Sequence, residues 1–136
     1  MISNKTTAAN SVGCAIYYNH NYNKFLWSTA DGSSSTEIWT SNTFTNIYNK
    51  WIHIVMVRNS SDAKKGYFYI DGVRQELASV PAIRNISTTH ELVIGALYSD
   101  HADYRWTGKI SDVRMYSTAL DEDAIKKLYN MGGDAS

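Results

Sequence analysis

Between positions 98 and 106 the chain reads Tyr98-Ser99-Asp100-His101-Ala102-Asp103-Tyr104-Arg105-Trp106, and most of its chemically versatile side chains gather there. Aromatic rings alternate with carboxylates and an imidazole. Sugars present apolar C–H faces ringed by hydroxyls, so flat rings beside acidic and amide groups suit them. Tyr98, Asp100, His101, Asp103, Tyr104 and Trp106 are therefore candidate glycan contacts. Asp100 and Asp103 could also offer hard oxygens to a calcium ion, helped by loop carbonyls, although the EF-hand spacing is absent. The competing reading is an exposed loop whose Tyr104 and Trp106 pack down onto the core.

A second aromatic set, Tyr17, Tyr22, Trp27 and Trp39, falls on or beside predicted strands. Trp39 joins the candidate ligand contacts, while cross-strand packing explains the set equally well. His53, inside an apolar run beside Trp51, reads as a hydrogen-bonded core histidine. Asp112 reads as a structural partner of backbone or Arg114.

Glycoside hydrolysis needs two carboxylates at a set separation, which an alternating acidic strand would supply. The glutamates are Glu37, Glu76, Glu91 and Glu122, and none has an acidic neighbour two positions on along a strand. No nucleophile motif is present either. The expectation is a binding module, not an enzyme.

The 136 residues suit a single domain with one core, spanning 1–136. A hydrophobic fraction of 43% and an aromatic fraction of 12% argue against disorder. A formal net charge of zero gives no electrostatic footprint for nucleic acid or an anionic membrane. Cys14 is the one cysteine, which excludes an intrachain disulfide and fits a small buried hydrophobe. No apolar run reaches membrane-spanning length, and Met1-Ile2-Ser3-Asn4-Lys5 begins no signal-peptide pattern. The sequons at Asn4, Asn59 and Asn85 are compatible with a secretory route but arise easily by chance in such a polar chain.

The elements that must position these residues are short strands. Residues 1–11 carry no pattern, then Val12–Tyr18, Phe25–Thr29 and Thr36–Phe44 read as strands. Trp51-Ile52-His53-Ile54-Val55-Met56-Val57-Arg58 is apolar on both faces at period two. That predicts a central strand covered on both sides. Gly66–Ile70 and Val73–Leu77 flank Asp71-Gly72, a type I′ hairpin signal that pairs Ile70 with Val73 and Phe68 with Gln75. Glu91–Gly95 and Gly108–Tyr116 read as the closing strands. A terminal helix follows, with Asp121 as N-cap, Leu120 and Ile125 as a hydrophobic staple, and Ile125, Leu128 and Tyr129 as its buried stripe.

The order of these motifs carries a resemblance. Trp51–Arg58, Tyr69-Ile70-Asp71-Gly72, Leu92-Val93-Ile94-Gly95, Gly108–Tyr116 and Ala119-Leu120…Ile125…Leu128-Tyr129 resemble the C-terminal two-thirds of a laminin-G-like, concanavalin A-like jelly-roll domain. The likeness covers residues 50–131 well and 12–44 loosely. It implies an all-β, two-sheet antiparallel jelly-roll sandwich with one short C-terminal helix and ligand sites on a concave face or rim loops. It also implies glycan or protein partners outside cells or on virus particles, with a calcium ion in some members. The family's N-terminal strand or strands have no room before Val12, so either the sandwich is abbreviated or a partner chain covers the missing edge, and self-association or membership of a larger assembly is expected through that open edge. The functional expectation is a carbohydrate-binding or adhesion module. The alternative is a structural or protein-interaction module of an extracellular or viral assembly.

Overall fold

The computed structural model describes residues 2–5, 10–59, 65–78, 84, 86, 88–96 and 105–132. Among the described residues there are eight strands and a helix: β1 Ile2–Ser3, β2 Gly13–Asn19, β3 Lys24–Ala30, β4 Ser35–Trp39, β5 Ile54–Asn59, β6 Lys65–Ile70, β7 Val73–Arg74, β8 Val93–Ile94 and α1 Glu122–Gly132. They form a five-stranded antiparallel sheet in the order β4-β3-β2-β1-β8 and a three-stranded one in the order β5-β6-β7. This is the two-sheet sandwich with one short helix that the sequence predicts.

Alternation along the strands decides which residues meet. In the first sheet Ile16, Trp27 and Ile38 stand in one cross-strand row. Phe25, Trp27 and Ile38 form one buried cluster with Phe68 and Ile70 of the second sheet, and Ile52, Ile54 and Met56 pack against it. The odd-numbered set on β5 and β6 points the other way, where Val57 and Tyr69 enclose Ile125 of α1. The layers are therefore sheet, sheet, helix, each burying an apolar face against the next.

Two turns lock this arrangement. Asp71 and Gly72 have φ of 50° and 76°, the two positive values that a type I′ turn requires. Ile70 pairs with Val73, and the Gln75 N–H donates to the Phe68 carbonyl at 2.9 Å, as the hairpin register predicts. The Asp71 carboxylate accepts the His53 N–H at 2.9 Å while the Asp71 N–H donates to the His53 carbonyl at 2.9 Å. The β5–β6 ladder is thereby extended beyond Ile54. Past β7 the chain crosses to the first sheet: Thr40 bridges Leu77, and the Ala78 N–H donates to the Trp39 carbonyl at 2.9 Å. At the β3–β4 end of the first sheet the inner face also makes polar contacts. The Arg84 N–H and Nε donate to the hydroxyls of Thr29 and Thr36, both at 3.2 Å.

The helix starts as its residues dictate. The Asp121 carboxylate accepts the Ala124 N–H at 2.8 Å, and Leu120 packs into the cluster around Ile125. Ile125 is fully buried, Leu128 half-buried and Tyr129 exposed, so the stripe is narrower than expected. Glu122 and Lys126 form an ion pair one turn apart, and the acidic first turn has a capping role.

Several expectations need correction. The strand at Trp51–Arg58 is predicted to be central, yet among the described residues β5 pairs with β6 alone and begins at Ile54. Trp51 is exposed, while its neighbour Ile52 packs against the inter-sheet cluster. Gly108–Tyr116 forms no strand. Gly108 at φ 145° and Asp112 at φ 55° break the extended path, and Ile110, Val113, Met115 and Tyr116 are exposed. Asp112 does bind Arg114, at 2.7 Å, as anticipated. The unpatterned N-terminus supplies β1, which lies between β2 and β8. His53 is half-buried rather than a bonded core residue: its ring lies 5.8 Å from that of Tyr129, and its buried Nδ1 has no hydrogen-bond partner among the described residues.

Candidate functional site

The outward face of the five-stranded sheet gathers aromatic and charged side chains. Register places Tyr17, Leu26 and Trp39 in one row across β2, β3 and β4, with Ala15, Ser28 and Glu37 in the next. Leu26 points away from the sandwich core yet is fully buried, with Tyr17 and Trp39 as its cross-strand neighbours. Those two rings therefore combine cover for Leu26 with partial exposure of their own, both being half-buried.

The β2–β3 turn adds a third ring. Asn23 takes a left-handed φ of 52° and the Asn19 carboxamide accepts the Asn21 N–H at 3.0 Å, which tightens the loop. Tyr22, 62% exposed, then meets Trp39 edge-on, with ring centroids 5.5 Å apart at 89°. Perpendicular rings suit the aromatic quadrupole and leave a right-angled apolar corner open to solvent.

Glu37 stands beside that corner. One carboxylate oxygen accepts from the Tyr17 hydroxyl at 3.3 Å, the other from the Trp39 indole N–H at 3.2 Å. Both donors fix the exposed carboxylate against the rings. Beneath it, the Lys5 ammonium donates to the Ser28 hydroxyl at 3.4 Å, and both residues are buried. Burial pulls the Lys5 pKa below its ordinary value, and attraction to Glu37 opposes the shift. A buried cation thus underlies an exposed anion.

The candidates read from sequence scatter. Tyr17, Tyr22 and Trp39 come together, whereas Trp27 belongs to the inter-sheet core. Among the described residues its buried Nε1 has no partner except the nearby Cys14 thiol, a weak acceptor whose own pKa burial raises. Tyr98, Asp100, His101, Asp103 and Tyr104 lie outside the described residues, and with them the Asp100 and Asp103 calcium reading. Trp106 is described: it is 37% exposed, and its backbone N–H donates to the Gly95 carbonyl at 2.7 Å. Arg105 bridges Ala96, just past edge strand β8, whereas Trp39 is on the opposite edge strand β4. Four strand spacings put about 19 Å between those edges, so Trp39 and Trp106 do not share a pocket. Glu37 was missed, although Glu37-X-Trp39 at period two already places carboxylate and indole on one strand face.

Around His53, burial pulls the imidazole pKa below its ordinary 6.5, opposed by Asp71 and Asp112 and helped by Arg114. Among the described residues no group of three or more His, Cys, Asp or Glu side chains could hold a metal ion. No helix among them is long and apolar enough to cross a membrane.

The chain is similar to known proteins. Over 106 residues the chain is 28% identical to the Adhesion G-protein coupled receptor V1 of Danio rerio, covering 75% of this chain and 2% of that receptor. A solved structure of an S-layer domain-containing protein from Clostridium thermocellum aligns with a TM-score of 0.46 at 18% identity, covering 91% of this chain and 66% of that one. The model of a laminin G family described as "Concanavalin A-like lectin/glucanases superfamily" matches residues 2–126, nearly the whole described sandwich. The chain belongs to that laminin G-like, concanavalin A-like family.

Proposed function

We propose that this chain is a non-enzymatic carbohydrate-binding or adhesion module that reads glycans on the outward face of its five-stranded sheet. The observation that carries this reading is the Tyr22–Trp39 corner with the Glu37 carboxylate fixed beside it. A pyranose can lay its C–H face on the indole and direct hydroxyls to the carboxylate. In this reading Tyr98, Asp100, His101, Asp103, Tyr104 and Trp106 are further proposed glycan contacts, and Asp100 and Asp103 are proposed to hold a calcium ion. The adhesion receptor among its relatives supports an extracellular or surface setting.

The second reading is a structural or protein-interaction module of an extracellular or viral assembly. It draws on apolar side chains along β8, where Leu92 and Ile94 are 45% and 50% exposed on a sheet edge.

A glycan array probed with calcium and again with chelator separates the two. The expected result is binding to a related set of sugars that Tyr22→Ala and Trp39→Ala each weaken at least tenfold, about 1.4 kcal/mol. Tyr22→Ala should leave the Tm nearly unchanged, since that ring is largely exposed. A blank array in both conditions, or binding indifferent to both variants, overturns the proposed face. Loss with chelator would show that binding needs a divalent cation, which Asp100→Asn and Asp103→Asn would then have to abolish.

A further inference from the structure

The Glu37 contacts bear on which glycans fit, an inference that rests on reading this face as the sugar site. An ionised carboxylate only accepts hydrogen bonds, and it has roughly four acceptor directions over its two oxygens. Tyr17 and Trp39 occupy one on each oxygen. The side chain is exposed, so each oxygen keeps an acceptor direction toward solvent. A ligand here must bring donors, two of them, spaced as the two oxygens of one carboxylate are spaced. Adjacent gauche hydroxyls of a pyranose meet that demand.

Charge narrows the choice further. Sulfate and uronate groups bring acceptors and no donors, so they would face the lone pairs of Glu37 with no proton to give them. A cationic ligand would gain little, because the Lys5 ammonium already lies under Glu37 and offsets its charge. Trp39 spends its N–H on Glu37, and the Tyr17 hydroxyl proton goes to the same carboxylate, so neither ring group offers that proton to an anion. We propose that the Tyr17–Tyr22–Glu37–Trp39 face selects neutral pyranosides through an unsubstituted vicinal diol and rejects sulfated and uronic glycans.

The test compares titration of neutral gluco-, galacto- and manno-oligosaccharides with their 6-sulfated and C6-uronic counterparts of equal length. It is repeated after periodate cleavage of the vicinal diols and with Glu37→Gln. Gln presents one acceptor and one N–H outward in place of two acceptors, and its exposed position leaves folding intact, which Tm checks. The expected result is at least tenfold tighter binding of one neutral series. That binding should vanish after periodate and fall at least tenfold in Glu37→Gln. Equal or tighter binding of the charged counterparts, binding that survives periodate, or indifference to Glu37→Gln overturns the selection while Trp39-dependent glycan binding stands. Selective capture of free-amine sugars overturns it likewise. Failure of every series, neutral and charged, overturns the glycan reading and this inference with it.

Discussion

Ile125→Ala tests whether α1 is a structural third layer fastened at one point. Ile125 has no exposed surface and packs with Val57 and Tyr69 on the outer face of β5 and β6, with Leu120, Val55 and Tyr67 around them. The change removes roughly three buried carbon groups, worth about 0.8 kcal/mol each, or about 2.4 kcal/mol in transfer free energy. The void left between helix and sheet adds to this, since β-sheet backbone cannot collapse into it, giving about 3–4 kcal/mol within the range seen for such truncations. For a domain of this size each kcal/mol corresponds to about 4 °C, so the Tm should fall by about 12–16 °C. Urea unfolding followed by both circular dichroism and tryptophan fluorescence gives the free energy directly. Lys127→Ala, on the exposed side of the same helix, should stay within about 0.5 kcal/mol. Glycan affinity of the folded Ile125→Ala protein should be unchanged, because the Trp39 corner is on the opposite outer face of the sandwich. A loss below about 1 kcal/mol would show that α1 is not held through Ile125 and would remove the third layer from the fold.

Two further tests address the β5–β6 end of the second sheet. Asp71→Ala should destabilise by about 2–3 kcal/mol, from a left-handed backbone without a tolerant side chain and from the lost acceptor for the His53 N–H. Asp71→Gly keeps the conformation and should lose about 1 kcal/mol; equal losses in urea denaturation would refute the backbone part. His53 titrates below 6.5 in the folded state. Between that lowered pKa and 6.5 the unfolded chain binds more protons, so stability falls as pH drops from 7 through this window. The urea midpoint should decline between about pH 7 and pH 5.5, above the carboxylate range. His53→Gln should flatten that decline, and an unchanged slope would place its source in other residues.

How much of this was readable in the sequence differs from residue to residue. The β6–β7 hairpin was readable in full, because Asp71-Gly72 satisfies a local backbone demand that needs no distant partner. The Asp121 cap and the Leu120–Ile125 contact are likewise local. The two faces of β5 also followed from period two, since strand geometry alone sends Ile54 and Met56 one way and Val55 and Val57 the other. Strand neighbours did not follow. The order β4-β3-β2-β1-β8 puts the unpatterned Ile2–Ser3 inside a sheet, because β2 and β8 already supply the pairing groups on both sides. The alternating Gly108–Tyr116 stretch, by contrast, finds no ladder once Asp112 turns left-handed.

The site divides in the same way. Composition and spacing determined that this chain carries aromatic rings next to carboxylates and lacks paired acidic strand residues. They also determined an all-β sandwich, since hydrophobic period and turn chemistry are properties of neighbouring residues. Only the tertiary structure decided which rings are platforms and which are core. Trp27 and Trp39 are chemically the same side chain on adjacent strands. One row of register sends Trp27 inward beside Ile38 and Phe68, and the other holds Trp39 outward against Tyr22 and Glu37. That choice depends on which face of the sheet meets the second sheet, a contact between residues far apart in the chain, and no local pattern encodes it.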